Sequence, residues 1–103
     1  MPVTTNTYVL GAVPRLTAAF ADVDGVPADP SHVQFKIIEP DAERTVTTFE
    51  SGTDVQLVRD SAGVYYVDWT TRVAGVHCFR FVGTGAVRAV AERHFTVDAG
   101  CFA

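Results

Sequence analysis

Apolar and polar residues alternate with a period of two along most of the chain, and that period predicts strands. From Val13 to Phe20, Leu16, Ala18 and Phe20 alternate with Arg15, Thr17 and Ala19 until the turn cluster Asp22-Val23-Asp24-Gly25. Val26 to Ser31 holds two prolines, which cannot sit inside a ladder, so it crosses between strands. His32 to Glu39 is the clearest strand, with Val33, Phe35 and Ile37 on one face and His32, Gln34 and Lys36 on the other. Pro40-Asp41-Ala42-Glu43 turns the chain into a Thr-rich strand from Arg44 to Glu50, which makes a hairpin. A short run Val55 to Val58 precedes the turn Asp60-Ser61-Ala62-Gly63, and Val64 to Thr70 then places Tyr65, Val67 and Trp69 on one face. Val76 to Val82 puts Phe79 and Phe81 beside His77, and Gly83-Thr84-Gly85 leads into a last strand ending at Phe95 and Val97.

Seven short strands without helical periodicity predict an all-β, seven-stranded Greek-key β-sandwich, with a closed barrel as the structural alternative. The inward aromatics Phe35, Tyr65, Trp69 and Phe79 are the expected structural residues. Gly63-Val64-Tyr65-Tyr66-Val67 resembles the tyrosine corner of Ig-like domains, with Tyr65 at the corner and Val67 where antibody-type domains carry a cysteine. Composition agrees: 17 Val and 12 Thr against 3 Leu and 1 Lys favour stiff β-branched side chains and deprive a helix of its usual formers. A chain of 103 residues is one module, here read as an N-terminal arm (1–12), a sandwich (13–97) and a C-terminal tail (98–103).

With 48% hydrophobic and 19% charged residues the chain has material for a core, and its net charge of −4 is the wrong sign for gripping phosphate backbones. Nucleic acid is therefore not expected as a partner. Residues 1–12 show no signal-peptide pattern and no segment reaches the length of a membrane span, so neither secretion nor a membrane is expected. Cys78 and Cys101 are too few for a disulfide framework; two free thiols is the preferred reading and one bridge the alternative.

Each candidate chemistry has a plainer reading. Asp22, Asp24 and Asp29 are oxygen ligands in one loop region, but two carboxylates beside Gly25 suit a capped turn better than a calcium loop. His77 and Cys78 are strand neighbours pointing to opposite faces, so with His94 and Cys101 they do not converge on a metal; His77 is expected to pack in the core with a ring nitrogen on a backbone partner. Gly83-Thr84-Gly85 leads into a strand where a dinucleotide motif needs a helix, and is read as a hairpin turn. Ser31, Ser51 and Ser61 lie in turns without an assignable His–Asp pair, and Glu39, Asp41, Glu43 and Glu50 are read as solvated charge around a hairpin. No catalytic residue, cofactor or metal is expected; an enzyme would show a pocket lined by His32 or His94 with a carboxylate partner.

Four blocks together, Arg15-Leu16-Thr17-Ala18-Ala19-Phe20, Asp22 through Pro30, Gly63 through Asp68 and Gly83 through Val87, resemble the small Ig-like proteins that tailed bacteriophages and prophages encode among their head and tail genes. The turn Pro40-Asp41-Ala42-Glu43 departs from that pattern by lacking the glycine that commonly follows Pro-Asp, and His77-Cys78 replaces a more usual aromatic and polar pair. The resemblance implies a non-enzymatic virion protein, made in the host bacterial cytoplasm, that decorates the capsid or sits at the head–tail junction or tail. Its partners would be other virion proteins in a many-copy assembly. On this reading the arm (Tyr8, Val9, Leu10) and the tail (Cys101, Phe102) are the expected assembly contacts, and removal of residues 2–10 would spare the fold and abolish incorporation. The alternative is an adhesion module binding host surface glycan or protein through Tyr66 and the loop aspartates.

Overall fold

The computed structural model describes residues 7–85 and 87–100. Eight strands form two sheets: β1 (Thr7–Val9), β2 (Arg15–Ala19), β3 (His32–Ile38), β4 (Val46–Glu50), β5 (Val58–Ser61), β6 (Val64–Asp68), β7 (Gly75–Thr84) and β8 (Ala89–Asp98). The larger sheet has the order β1-β8-β7-β3-β4 and the smaller β2-β6-β5, so the chain changes layer between β1 and β2, β2 and β3, β4 and β5, and β6 and β7. Among the described residues every regular element is a strand.

Burial follows the predicted alternation. Val33, Phe35 and Ile37 of β3 are fully buried, and antiparallel register sets Phe35 against Phe81 and Ile37 against Phe79 of β7. The Phe35 ring stacks on Phe49 at 5.9 Å and meets Phe81 edge-on at 4.9 Å. Leu16, Ala18, Tyr65 and Val67 of the smaller sheet complete a single core with these residues, and buried Trp69 closes one side at 6.4 Å from Phe49. His77 is buried as expected, stacked on Phe95 at 4.7 Å with Nδ1 3.3 Å from the Gly75 carbonyl.

Three expectations need correction. Over the described residues the sandwich has eight strands, because part of the segment read as an arm belongs to it: Thr7–Val9 pairs in parallel with Thr96–Asp98, and the Leu10 amide donates to the Asp98 carbonyl. The folded unit therefore extends at both ends past the expected 13–97, and excision of residues 2–10 would remove a strand. The physical reason is the inward face of β8, where Tyr8 covers Phe95 edge-on at 5.8 Å. Secondly, the fifth strand lies at Val58–Ser61 rather than Val55–Val58. The Glu50 carbonyl accepts from the Thr53 and Asp54 amides, which turns the chain outward and leaves Val55 87% exposed before Leu57 returns to the core. Thirdly, the strand expected from Arg44 begins only at Val46, because Arg44 at φ 51° closes the hairpin in place of a glycine and the Asp41 carboxylate, read as solvated, accepts from the Thr45 amide and hydroxyl.

Truncation of Phe35 removes the ring on which both neighbours in its sheet pack. Phe35→Ala should lower unfolding free energy by about 3–5 kcal/mol in urea titration with little change in m-value.

Candidate functional site

Several of the polar residues singled out in the sequence, Asp22, Asp29, Asp41, Glu50 and Ser51 among them, are bound in pairs and triads that fasten loops to strands. Asp29, in the proline-bounded crossing between β2 and β3, accepts from the Gly63 amide at 2.8 Å, from the Tyr65 hydroxyl at 3.2 Å and from Arg59 at 2.9 Å. The Arg59 guanidinium, then the Gly63 amide, draw its carboxyl down from the ordinary 3.8 to about 2. Tyr65 thus ties to a side chain 36 residues upstream. This departs from a tyrosine corner, whose hydroxyl reaches nearby backbone; here the carboxylate of the crossing segment lies within reach and is the stronger acceptor. Gly63 is held there by space as well as by φ of +75°, since a Cβ would stand 2.3 Å from the Phe20 carbonyl oxygen.

Asp22 caps its own turn, one oxygen accepting from the Asp24 and Val26 amides at 2.9 and 3.0 Å. Among the described residues no three His, Cys, Asp or Glu side chains gather as metal ligands would. Tyr66 does not offer a bare ring: the Arg15 guanidinium lies 3.8 Å over its centroid and is held by Asp68.

One cluster was not read from the sequence. His32 Nε2 lies 2.5 Å from Glu50 Oε1, His32 Nδ1 lies 3.4 Å from Ser51 Oγ, and Gln34 donates to the other Glu50 oxygen at 2.7 Å. The signal was present in the β3–β4 hairpin, whose register sets Gln34 opposite Glu50. The order Ser51, His32, Glu50 has the elements of a nucleophile with its base and orienting carboxylate. However, Ser51 Oγ accepts from the Val33 amide at 2.9 Å while the Ser51 amide donates to the Val33 carbonyl, so the hydroxyl closes the ladder where a backbone carbonyl normally would. Gln34 and then His32 hold the Glu50 carboxyl below its usual range. A buried carboxylate, Glu39, is likewise fastened by Arg72 at 2.6 Å, where the sequence suggested solvated charge.

Clefts lie elsewhere. One of about 280 Å³ opens between the sheets beside β4, with Phe49, Gln56, Trp69 and Arg72 in its walls. Another of about 250 Å³ lies on the outer face of the larger sheet, walled by Lys36, Ile38, Val46, Cys78, Arg80 and Glu92. Neither is lined by His32, Glu50 or Ser51. On that outer face, cross-strand register sets Val46, Ile38 and Cys78 in one band and Val82 and Val90 in another, separated by Lys36, Arg80 and Glu92. Burial pushes the Cys78 thiol up from its usual range.

Of the expected assembly contacts, Tyr8 is turned inward on Phe95, whereas Val9 of edge strand β1 and Leu10 just after it are exposed. Cys101 and Phe102 lie outside the described residues, as does the question of their bridge or contacts.

No protein-family model matches the chain, and no curated protein matches it. Solved structures do. The chain superposes on the Lin-41 filamin domain with a TM-score of 0.68 at 12% identity, covering 96% of this chain and 89% of that one. It also matches a protein from Bacteroides vulgatus described as a glycoside hydrolase, with a TM-score of 0.57 at 17% identity, covering 91% of this chain but 16% of that one. At such identities the likeness shows the fold: an Ig-like β-sandwich.

Two outcomes follow. Because folding favours ionised Asp29, its contribution is complete above the ordinary carboxylate range and is lost as pH falls from about 4 towards about 2. Asp29→Asn should lower the melting temperature at pH 7 and flatten the acid limb of a stability–pH profile in that window. Ser51→Ala leaves the Val33 amide without its acceptor and should cost about 1–3 kcal/mol by denaturant titration.

Proposed function

We propose that the protein is a non-enzymatic structural module of a tailed-phage particle, decorating the capsid or seated at the head–tail junction or tail, and held there by contacts to other virion proteins. The resemblance of the four sequence blocks supports the particle. One structural observation supports the contact role. Asp29, Glu50 and Ser51 are committed to holding loops and ladders, while the outer face of the larger sheet carries two apolar bands with Val46 53% and Val90 63% exposed. Apolar surface gathered on one face of a small domain marks a contact region. That face, more than the chain ends, is then where a neighbouring virion protein seats, the charged row of Lys36, Arg80 and Glu92 setting its orientation.

In a many-copy shell each contact can be weak, because neighbouring copies raise the effective concentration. Less supports the adhesion reading, since Arg15 lies over the Tyr66 ring and Asp22 is bound to its own turn.

Cryo-electron microscopy of particles should find the protein in symmetric copies. Ile38→Asp and Val90→Asp, one in each band, should abolish incorporation while circular dichroism stays unchanged. Normal incorporation of both, or a glycan-array signal together with absence from particles, would overturn the reading.

A further inference from the structure

Four strands end the two sheets, and unpaired strand edges are normally blunted against association. Three of these are. The Thr17 carbonyl of β2 accepts from Arg93 at 3.0 Å, β5 carries a register shift between Arg59 and Ser61, and β1 spans only three residues. β4 is different. Its five residues, Val-Thr-Thr-Phe-Glu, pair with β3 in unbroken register and contain no proline, lysine or bulge.

The hydrogen-bond parity of this edge can be assigned. The Ser51 amide donates to the Val33 carbonyl at 2.9 Å and the Glu39 amide to the Thr45 carbonyl at 2.9 Å. Antiparallel ladders alternate, so residues 45, 47, 49 and 51 point their backbone groups at β3, and 46, 48 and 50 point theirs outward. Glu50 is spent: its amide donates to Asp54 Oδ2 at 2.8 Å and its carbonyl accepts from the Thr53 and Asp54 amides. Val46 and Thr48 have no such partner among the described residues. Two N–H and two C=O groups therefore face outward from β4.

We propose that β4 pairs antiparallel with β4 of a second copy, about a twofold axis through Thr47. In this register Val46 exchanges both backbone bonds with the partner's Thr48, and Thr48 with the partner's Val46, so all four outward groups are satisfied. Moving the axis one residue to Thr48 would set Val46 against the partner's Glu50, whose groups are already used. The chosen register also brings the hairpin end that carries Arg44 towards the partner's Glu50, twice by symmetry. Among the described residues Arg44 has no carboxylate within ion-pair distance, so the match is charge-complementary. The two five-stranded sheets join into one continuous sheet. This pairing does not rest on membership of a particle and holds for the isolated chain.

Sedimentation velocity on the full chain carrying Cys78→Ser and Cys101→Ser, from about 1 μM to about 1 mM, should show a reversible dimer. Thr48→Pro removes an outward N–H that the β3 ladder does not use, and should return the protein to monomer with unchanged circular dichroism. Thr47→Cys should link the dimer on mild oxidation, since directly opposed residues of a non-hydrogen-bonded pair lie about 4.5 Å apart at Cα, within disulfide range. Val46→Cys, which faces Thr48, should not. A monomer at every concentration, a dimer that survives Thr48→Pro, or equal linkage by Val46→Cys overturns the proposal. Should Thr48→Pro fail to fold, Arg44→Glu sets like charges against the partner's Glu50 and should weaken the dimer about tenfold. An unchanged dissociation constant would then reject the register.

Discussion

The structure depends on β3 being hydrogen-bonded on both sides while burying every second side chain. Between β7 and β4 it has no free edge, and Val33, Phe35 and Ile37 are wholly removed from water. A shift of one residue would carry all three to the outer face, so register is strongly determined at this strand. Phe35 sits where that constraint is tightest, with Phe49 and Phe81 from the flanking strands on either side of its ring.

Once β3 is set, its neighbours inherit consequences that reach the surface. Pairing with β7 turns Phe79, Phe81 and His77 inward and leaves Cys78, Arg80 and Val82 outside. Pairing with β4 brings Glu50 to Gln34 and His32, and leaves Val46 and Thr48 with outward backbone groups. The surface offered to partners is thus the reverse side of the same alternation that fills the core. Polar side chains able to do chemistry are largely taken up where loops join strands, as at Asp29, Glu39 and Ser51.

The inner faces were legible because period-two patterning is local. Leu16, Ala18, Phe35, Tyr65, Val67, Trp69 and His77 all lie where alternation assigns them. Turn chemistry was legible at Asp22, which caps its turn as a short polar side chain beside a bend does, but not at Asp41, read as solvated charge and found bound to Thr45. Segments whose state depends on distant residues were not. Thr7–Val9 becomes a strand because β8 offers a parallel edge and Phe95 a surface for Tyr8. The Val55 to Val58 run has strand composition, but the turn anchored on Glu50 carries Val55 into solvent.

Strand periodicity and β-branched composition act residue by residue, so the all-β class and the inward faces were written in the chain, with sandwich and barrel both compatible. Which polar groups meet, and which edges stay open, was set by the assembled sheets. Asp29 reaches Gly63 and Tyr65 across more than thirty positions of chain, and His32 reaches Glu50 across eighteen. Such pairings arise from strand order and register between layers, which loop lengths and side-chain packing select together and which local patterning does not encode.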